Sequence, residues 1–294
     1  MNIIITIPAL NEQETIGQVI TDIHNVMKST KYKYQVQVVD DGSKDNTKKV
    51  AEQAGAVVYS HPINLGLAET FRTEIQKALE NKADVIVHTD ADGQYQAKDI
   101  PRLIQEIENG YDLVLGNRFV GGIETMPLMK RMGNKAFSKV ISKIIGHKIG
   151  DCQTGFRAFT RALAENIQII SDHTYTQEQI IKAVRKKFRV KEIPTYFSKR
   201  ISGDSRLLKN PFEYAIKAWL NIVRIYRDYD PLKFFIKIGL VFLVPGVLIG
   251  LWLVSIFIRT GSVLRIPFAI LSILLILLGV QIILFGLLSD MIKR

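Results

Sequence analysis

Two long segments near the end of this 294-residue chain contain no charged residue, and they restrict the possible folds more than any other feature. The first runs from Ile238 to Ile258 and the second from Ile266 to Leu288. Each exceeds the roughly 20 residues that a helix needs to cross the hydrocarbon core of a membrane. We therefore expect residues 233–294 to form a transmembrane hairpin, with helices at about 238–258 and 266–288. A buried hairpin in a soluble core is the alternative.

The net charge of +11 is distributed unevenly along the chain. Residues 1–120 carry an acidic excess, whereas residues 121–232, next to the apolar segments, carry a basic excess. A basic surface beside a membrane suits anionic lipid or a lipid-phosphate substrate. This location favours membrane lipid as a partner and argues against nucleic acid, which a basic protein could otherwise bind.

The flanking charges also predict the orientation of the hairpin. Lys and Arg residues on the side of the preceding domain outnumber Arg259 and Arg265, which lie in the hairpin loop. By the positive-inside rule, we expect the domain that precedes the hairpin and both termini to face the cytoplasm. The single cysteine, Cys152, fits a reducing compartment, because it cannot form an intrachain disulfide. We expect no signal peptide, since the apolar run from Ile3 to Ile7 is short and leads straight into Pro8.

Short β-branched runs alternate with amphipathic segments over the first part of the chain. The predicted strands are Asn2 to Ile7, Val36 to Val39, Ala56 to Ser60, Val85 to Val87 and Leu113 to Leu115. The predicted helices span about residues 14–27, 45–54, 67–79 and 176–187. This alternation predicts an α/β domain, with a mostly parallel sheet and helices on both faces.

The apolar run from Val85 to Val87 leads into two carboxylates one residue apart, Asp90 and Asp92. In an extended segment residues i and i+2 point to the same side, so both carboxylates, and Gln94 in the same register, can face one point. Hard oxygen donors at this spacing suit Mg²⁺ or Mn²⁺, which also bind substrate phosphates. An Asx-rich turn that caps the next helix is the structural alternative.

Polar clusters follow three of the predicted strands: Asn11-Glu12, Asp40-Asp41 and Asp90 with Asp92. Ligands of open α/β sheets bind outside the carboxyl ends of the strands, so three such clusters favour a nucleotide site over three separate helix caps. The sequence contains no Gly-x-Gly-x-x-Gly motif after the first strand and no Walker-type Gly-Lys-Ser/Thr. These absences argue against a dinucleotide-binding or P-loop protein.

The ordered motif series resembles the signature of family 2 glycosyltransferases, which have the GT-A fold. The matching stretches are Ile7-Pro8-Ala9-Leu10-Asn11-Glu12, Val39-Asp40-Asp41-Gly42-Ser43, Asn64-Leu65-Gly66 and Asp90-Ala91-Asp92-Gly93-Gln94. The resemblance covers nearly the whole chain and implies a Rossmann-like GT-A catalytic domain that binds a nucleotide-diphosphate sugar. By this resemblance, the base and ribose would contact Pro8, Asn11, Glu12 and Asp40 or Asp41. The metal and diphosphate would be held by Asp90, Asp92 and Gln94.

The second half of the chain resembles the polyprenyl-phosphate branch of that family, the dolichyl-phosphate mannose or glucose synthases and their bacterial relatives. The matching stretches are Gly116–Phe119, Met126–Lys135, Asp151–Phe159 and Arg200–Leu207. The region supplies the clustered Arg and Lys residues that a phosphate acceptor requires. The resemblance implies that the phosphate of a dolichyl or undecaprenyl acceptor contacts Arg118, Arg131, Ser138 and Arg200. It places Gln153 and Arg157 near the donor phosphates or the leaving group.

These features predict metal-dependent transfer of one sugar, with inversion at the anomeric carbon, from a UDP- or GDP-linked donor. The expected catalytic residues are Asp92, Asp151 and Arg157. An acceptor phosphate is already ionised near neutral pH, so positioning by arginine can suffice. If a general base is needed, Asp151 is the first candidate and Glu178 the second.

The predicted domains are a cytoplasmic GT-A catalytic domain over residues 1–209, an amphipathic juxtamembrane helix over 210–232 and the hairpin over 233–294. The amphipathic stretch from Pro211 to Tyr229 fits either the membrane interface or the surface of the catalytic domain. The basic loop from Ser198 to Lys209 could close over bound nucleotide.

Several alternatives stay open at the level of sequence. A processive polysaccharide synthase is one, although the Gln-x-x-Arg-Trp element that such enzymes share is absent here. A non-catalytic membrane protein that binds a nucleotide sugar is another. The residues do not select among UDP-glucose, UDP-N-acetylglucosamine and GDP-mannose. Glycines in both apolar segments permit close helix contacts and a homo-oligomer.

Overall fold

The computed structural model describes residues 1–171, 175–200, 220, 223–262 and 265–293. The chain divides into two compact units, Met1–Pro211 and Phe212–Arg294. The N-terminal unit contains an α/β sheet, and the C-terminal unit contains two long apolar helices. An α/β domain followed by a two-helix hairpin confirms the predicted fold class.

Among the described residues, the N-terminal unit is built on a seven-stranded sheet with the order β3-β2-β1-β4-β6-β5-β7. The strands are β1 (Asn2–Ala9), β2 (Lys33–Asp40), β3 (Val57–Ser60), β4 (Val85–His88), β5 (Leu113–Asn117), β6 (Arg157–Thr160) and β7 (Val190–Pro194). Neighbouring strands are parallel, except that β6 runs antiparallel to both β4 and β5. The sheet is therefore mostly parallel, as predicted, and the reversed strand lies inside it.

Helices connect the strands and cover the sheet. They are α1 (Ile16–Met27), α2 (Thr47–Gln53), α3 (Leu67–Glu80), α4 (Ile100–Glu108), α5 (Arg118–Gly121), α6 (Leu128–Ile145), α7 (Arg161–Asn166) and α8 (Tyr175–Arg185), with a short 3-10 helix at Ala97–Asp99. α1 buries Ile16, Val19, Ile20, Ile23 and Met27, which is the spacing of one helical face. The predicted helices at 14–27 and 45–54 are present, and each begins two residues later than predicted.

β1 is buried on both faces, which explains its uninterrupted apolar sequence. Ile3, Ile5 and Ile7 pack in one core cluster with α1 and α4. The intervening Thr6 points to the other face, because successive strand residues alternate. There the Gln37 amide donates to Thr6 Oγ1 (3.2 Å) and to the carbonyl oxygen of Glu74 in α3 (2.8 Å). The strand is thus held between two layers of helices.

The strand ends that carry the polar motifs lie side by side. β1 pairs with β2 so that Ala9 lies opposite Asp40, and it pairs with β4 so that Thr6 lies opposite His88. Because these three strands are parallel, the residues that follow them reach the same edge of the sheet. The register therefore brings the three polar clusters of the sequence to one place.

The C-terminal unit is a hairpin of α9 (Pro231–Thr260) and α10 (Ile266–Lys293). Both helices are long and apolar enough to cross a membrane, and they contain the two predicted spans. Glycines allow the helices to approach closely, since a Cβ atom at Gly239 would lie 2.8 Å from the carbonyl oxygen of Gly279. Ser272 Oγ donates to the carbonyl oxygen of Gly246 at 2.8 Å, which satisfies a hydroxyl within an apolar pair.

Two predicted segments are described only in part. Residues 223–229 of the predicted juxtamembrane helix are helical, whereas residues 211–219, 221 and 222 lie outside the described residues. Of the predicted closing loop from Ser198 to Lys209, the structure describes residues 198–200. The membrane role of the first segment and the closing role of the second stay predictions.

Candidate active site

The parallel strand ends border a cleft of about 390 Å³ in the N-terminal unit. The predicted site residues that line it are Pro8, Glu12, Asp41, Asp90, Asp92 and Arg200. Asn64 and Gly66, from the third motif of the series, complete one wall. Other residues predicted to bind the donor are described but do not line the cleft: Asn11, Asp40, Gln94 and Gln153.

Asp41 fixes the loop that forms one wall. Its Oδ1 atom accepts the backbone N–H of Leu65 at 2.9 Å, and its Oδ2 atom accepts that of Gly66 at 2.9 Å. Asp40 instead accepts the N–H of Ser43 at 3.2 Å, within the turn that follows β2. The sequence left Asp40 and Asp41 as alternatives, and the structure places Asp41 in the cleft.

Asn11 and Glu12 connect the turn after β1 to the turn after β2. Asn11 has a positive φ of 51°, and its Oδ1 atom accepts the N–H of Lys44 at 2.8 Å. The Asn11 N–H donates to Ser43 Oγ at 2.8 Å, and the Glu12 N–H donates to Thr47 Oγ1 at 2.8 Å. These bonds hold the turn after β1 and the turn after β2 in a fixed position relative to each other.

Asp90 and Asp92 lie at the base of the cleft. Asp92 accepts the backbone N–H of Gln94 at Oδ1 (3.0 Å) and contacts Arg200 Nη2 through Oδ2 (2.8 Å). The backbone of Gly155 passes close to Asp90, since a Cβ atom on Gly155 would lie 2.8 Å from Asp90 Oδ1. Desolvation, together with the charge of Asp92, raises the pKa of Asp90 to about 6.

The two carboxylates fit a divalent cation. Both offer hard oxygen donors, and Asp92 already binds a cationic group, the guanidinium of Arg200. Within the described ranges, no group of three or more His, Cys, Asp or Glu side chains is placed to hold a metal. One or two carboxylates with substrate phosphates and water are a common set for Mg²⁺, so the pair is sufficient. The third predicted ligand, Gln94, donates its amide to the carbonyl oxygen of Ser198 (3.1 Å) and stays a prediction.

Arg118 and Asp151 are paired with each other. The Arg118 Nε and Nη2 atoms donate to Asp151 Oδ2 (2.6 Å) and Oδ1 (2.9 Å), and both residues are buried. Gln153 donates its N–H to the same carboxylate at 3.3 Å. The second candidate base, Glu178, is buried and forms an ion pair with Lys182 at 2.6 Å. Neither carboxylate lines the cleft, so their roles as bases stay predictions.

Three cations lie near Asp90 and Asp92: Arg200 contacts Asp92, Lys130 interacts with the charge of Asp92, and Arg118 interacts with the charge of Asp90. Burial lowers the pKa of Lys130, and the nearby charges of Arg118 and Arg200 lower it further. We call Arg118, Lys130 and Arg200 the basic rim. The sequence analysis missed Lys130, although its position next to Arg131 in an Arg- and Lys-rich motif is a signal.

The other two predicted acceptor residues lie on α6. Arg131 is exposed. Ser138 is buried, and its hydroxyl donates to Cys152 Sγ at 3.3 Å while it accepts the Cys152 N–H at 3.1 Å. This placement gives Ser138 a contact with the loop before β6, and its contact with a phosphate stays a prediction.

Arg157 begins β6 and is fully buried. Its guanidinium donates to the carbonyl oxygens of Thr154, Gly155 (3.3 Å) and Thr176 (3.1 Å), and to Gln179 Oε1 (3.0 Å). These bonds join the loop before β6 to the first turn of α8. The arrangement favours a positioning role for Arg157 over direct contact with donor phosphates.

A buried polar group beneath Asp90 was also missed by the sequence analysis. His88 Nδ1 lies 2.8 Å from Glu74 Oε2, and His88 Nε2 lies 3.3 Å from Tyr175 Oη and 3.9 Å from Asp90 Oδ1. His88 and Glu74 are fully buried. The signal in the sequence is a histidine at the end of an otherwise apolar strand.

Comparison with known families gives two matches. Residues 4–168 match the family described as Glycosyl transferase family 2. Residues 230–294 match the family described as GtrB C-terminal hairpin. The first match spans the residues that line the cleft except Arg200, and the second spans the two apolar helices.

Curated proteins with related sequences cover most of the chain. The Dolichyl-phosphate hexose transferase of Haloferax volcanii is 32% identical over 217 residues, covering 73% of this chain and 90% of that protein. The Dolichol-phosphate mannosyltransferase of Pyrococcus furiosus is 28% identical over 273 residues, covering 89% and 74%. The Undecaprenyl-phosphate 4-deoxy-4-formamido-L-arabinose transferase of Proteus mirabilis is 27% identical over 301 residues, covering 99% and 88%.

A solved structure shares the fold. It is glucosyl-3-phosphoglycerate synthase from Mycobacterium tuberculosis in complex with Mn²⁺, uridine-diphosphate-glucose and phosphoglyceric acid. The TM-score is 0.60 at 18% sequence identity, with 75% of this chain and 79% of that chain covered. This likeness confirms the predicted GT-A-like fold of the N-terminal unit.

Proposed function

The chain belongs to glycosyl transferase family 2, as its motif series predicts, and we propose that it transfers a single sugar from a nucleotide-diphosphate sugar to a polyprenyl phosphate. The observation that carries the proposal is the cleft with Asp90 and Asp92 at its base and the basic rim beside Asp92. Relatives named for dolichyl-phosphate and undecaprenyl-phosphate acceptors align with most of the chain, which supports this acceptor class.

The donor is a UDP- or GDP-linked sugar bound in the cleft. Pro8, Glu12 and Asp41 form the walls that receive the nucleoside, and the diphosphate lies toward Asp90 and Asp92. Two neighbouring carboxylates would repel a diphosphate, and a divalent cation held by Asp90 and Asp92 would offset that repulsion. Mg²⁺ or Mn²⁺ held by Asp90 and Asp92 would neutralise the charge that develops on the departing diphosphate.

Arg118, Lys130 and Arg200 bind the phosphate of the acceptor. They also lower the local electrostatic cost of bringing that anion close to the donor diphosphate. Asp151 holds the Arg118 guanidinium through two hydrogen bonds, which fixes the direction of the remaining donor atoms. In this arrangement Asp151 orients a binding residue and does not need to accept a proton.

Transfer proceeds by a single displacement with inversion. An oxygen of the ionised acceptor phosphate forms a bond to the anomeric carbon, and the bond from that carbon to the diphosphate oxygen breaks. The nucleoside diphosphate leaves, and no proton has to be removed from the acceptor. Rate enhancement therefore comes mainly from positioning and from electrostatic stabilisation of the leaving group.

The reaction takes place at the cytoplasmic face of the membrane. Support comes from the apolar hairpin of α9 and α10 and from the excess of Lys and Arg on the side of the N-terminal unit. The single buried cysteine agrees with a reducing compartment.

The test uses the full chain in detergent with Mn²⁺, a short polyprenyl phosphate and a panel of nucleotide sugars. The mass of the lipid product identifies the sugar, and the anomeric coupling constant of the product gives the stereochemistry. We expect Asp92→Asn to lower transfer about 100-fold or more, since it weakens charge stabilisation at the leaving group. The matched control is Asp84→Asn. Asp84 precedes the first residue of β4, at the other end of the strand from Asp90, and this variant should transfer the sugar at the rate of the unsubstituted protein. Absence of a lipid-linked product with every donor would contradict the proposal.

A further inference from the structure

The carboxylate of Asp41 is held by both ends of the loop that joins β3 to α3, residues 61–66. At the start of the loop, His61 Nδ1 lies 2.8 Å from Asp41 Oδ1. At its end, the N–H of Leu65 donates to Oδ1 and the N–H of Gly66 donates to Oδ2, each at 2.9 Å. The side chains of His61 and Asp41 are only 10% and 6% exposed. The direction of the carboxylate is therefore fixed by three neighbours.

His61 is the donor in its contact with Asp41. An ionised carboxylate only accepts hydrogen bonds, so the proton of this contact is on Nδ1. The other ring nitrogen, Nε2, lies 2.9 Å from Thr73 Oγ1 in α3, whose hydroxyl donates to it. The backbone N–H of His61 donates to the carbonyl oxygen of Asp40, the last residue of β2, at 2.8 Å. Contacts on two sides thus keep the imidazole ring on the carboxylate.

These contacts leave Asp41 with one open acceptor position. A carboxylate accepts about four hydrogen bonds, two on each oxygen. Leu65 and His61 take both positions of Oδ1, and Gly66 takes one position of Oδ2. Within the described part of the chain, no fourth donor contacts this carboxylate. Because Asp41 lines the cleft, the second position of Oδ2 is left for a ligand.

The place of Asp41 in the sheet indicates which part of a donor it meets. Asp41 follows β2, whereas Asp90 and Asp92 follow β4, and β1 lies between these strands. Adjacent strands are about 4.8 Å apart, so these two strand ends are about 10 Å apart. A donor with its diphosphate at Asp90 and Asp92 therefore carries its base, beyond the ribose, to Asp41. This step rests on the proposed function. Leu10 and Leu67 also line the cleft and offer apolar surface to a base.

We infer that Asp41 and His61 together select uracil over guanine, so that the donor is a uridine-diphosphate sugar. Uracil presents one N–H group, at N3, with a carbonyl group on each side. The N3–H group fills the open position of Asp41 Oδ2. A flanking carbonyl oxygen then lies toward the N–H groups that surround Oδ1, where the local potential is positive. One donor between two acceptors is the pattern that complements this wall.

Guanine does not complement the same wall. Its N1–H and its amino group are adjacent donors, which bind a carboxylate best through both oxygens. Oδ1 accepts no further donor, so the second guanine donor would face the N–H groups of Leu65 and His61. A donor left unpaired in this way costs affinity and excludes the wrong base. The other carboxylate of the wall, Glu12, already accepts the Thr15 hydroxyl through Oε2 at 3.1 Å.

Nucleotide binding tests the inference directly. The full chain in detergent is titrated calorimetrically with UDP, CDP and GDP, each with Mn²⁺. CDP matches UDP in size, but its N3 atom is an acceptor and would face the carboxylate, so CDP separates the hydrogen-bond pattern from the size of the base. We expect UDP to bind about tenfold or more tightly than CDP and GDP, since only uracil pairs with Asp41 Oδ2. Equal binding of UDP and CDP, or binding of GDP as tight as that of UDP, would overturn the inference.

Replacement of His61 separates base selection from support of the loop. His61→Phe keeps a ring and opens a position on Oδ1, so the ratio of UDP to GDP affinity should fall about fivefold or more. His61→Asn retains an N–H donor near the place of Nδ1 and should retain the ratio. The matched control is His24→Phe, since His24 contacts Tyr34 at 3.0 Å and does not line the cleft. An equal loss of UDP and GDP affinity in His61→Phe would show that His61 only supports the loop, which would overturn its role in selection.

Failure of this inference is distinguishable from failure of the proposed function. Selective binding of UDP without a lipid-linked product from any donor would contradict only the proposed function. Transfer to polyprenyl phosphate from a GDP-linked sugar as fast as from every UDP-linked sugar would contradict only the selection by Asp41 and His61. Binding of none of the three nucleotides would contradict both.

Discussion

Arg118 and Asp151 form a bidentate ion pair in the interior of the N-terminal unit, with donor–acceptor distances of 2.6 and 2.9 Å. The two residues are 33 positions apart in the sequence, one following β5 and the other in the loop before β6. The pair connects Arg118 of the basic rim to the loop before β6, and Gly155 of that loop lies close to Asp90. Its energetic role can therefore be separated from any role of Asp151 in chemistry.

Asp151→Ala should destabilise the protein by about 3–5 kcal/mol, because it leaves a buried guanidinium without its partner. The measurement is the unfolding midpoint of the full chain in detergent. Glu165→Ala is the matched control, since it breaks the exposed Arg161–Glu165 pair, which is worth about 1 kcal/mol or less. If Asp151→Asn abolished transfer at an unchanged midpoint and an unchanged KM for the acceptor, Asp151 would be acting as a base and not only as the partner that orients Arg118.

Arg200→Ala should strengthen the binding of Mn²⁺ in the absence of donor. Arg200 Nη2 lies 2.8 Å from Asp92 Oδ2, so the guanidinium occupies an oxygen that the proposed metal would use. Partly exposed ion pairs are worth up to about 1 kcal/mol, which corresponds to an affinity gain of about fivefold or less. Free Mn²⁺ measured by electron paramagnetic resonance gives the affinity. Arg200→Lys retains the charge and should bind Mn²⁺ as the unsubstituted protein does, and weaker binding by Arg200→Ala would contradict the competition.

Gly155→Ala should weaken binding of Mn²⁺ with UDP or GDP by about tenfold, because the added methyl group displaces Asp90 or the backbone that faces it. The Cβ atom would lie 2.8 Å from Asp90 Oδ1. Gly17→Ala is the matched control: its Cβ atom would meet only a methyl group of Val50, at 3.0 Å and away from the cleft. Calorimetric titration gives the affinity of each variant for Mn²⁺ with UDP or GDP. If the two variants bind equally well, the close contact with the Gly155 backbone does not constrain Asp90.

Local patterns were sufficient to predict the strands and helices that frame the cleft. Asp90 and Asp92 were predicted to share one site, and both line the cleft. The predicted extended register is wrong, because β4 ends at His88 and the chain turns at residues 91–93, where Asp92 Oδ1 accepts the N–H of Gln94 as in the alternative Asx turn. Helix periodicity predicted α1, which begins two residues later than expected. These predictions succeed because each depends on residues close together in the sequence.

Features that depend on contacts between distant residues could not be predicted. β6 has only four residues and begins with a charged one, so no pattern identifies it as a strand, and its position between β4 and β5 comes from the whole sheet. The choice between Asp40 and Asp41 depends on the backbone of the loop that Asp41 binds. Likewise, the Arg118–Asp151 pair exists only after β5 and the loop before β6 have met.

Cys152 should resist alkylation in the native protein. Burial raises the pKa of its thiol to about 12, so the thiol stays protonated between pH 7 and pH 9, and only the thiolate reacts at a useful rate. Mass measurement after treatment with iodoacetamide reports the modified fraction. Ile170→Cys supplies an exposed thiol as the matched control, and denatured protein supplies the upper limit. Native labelling of Cys152 that rises with pH over this range would contradict the prediction.

His88 and Glu74 should show strong energetic coupling. Both are fully buried, the His88 Nδ1 and Glu74 Oε2 atoms are 2.8 Å apart, and Glu74 Oε1 has no hydrogen-bond partner among the described residues. Each single replacement, His88→Leu or Glu74→Met, leaves a buried polar group unsatisfied and should cost about 1–3 kcal/mol or more. The double replacement removes both polar groups and should cost less than the sum of the single ones.

The double variant also separates stability from function. His88 Nε2 lies 3.9 Å from Asp90 Oδ1, so the imidazole ring forms part of the floor on which that carboxylate rests. If the ring positions Asp90, the double variant should regain much of the stability lost in the single variants and still bind Mn²⁺ with UDP or GDP more weakly than the unsubstituted protein. Unfolding midpoints and calorimetric titration of the same four proteins test both parts. Full recovery of nucleotide binding in the double variant would show that the pair acts only in packing, because a leucine and a methionine would then support Asp90 equally well.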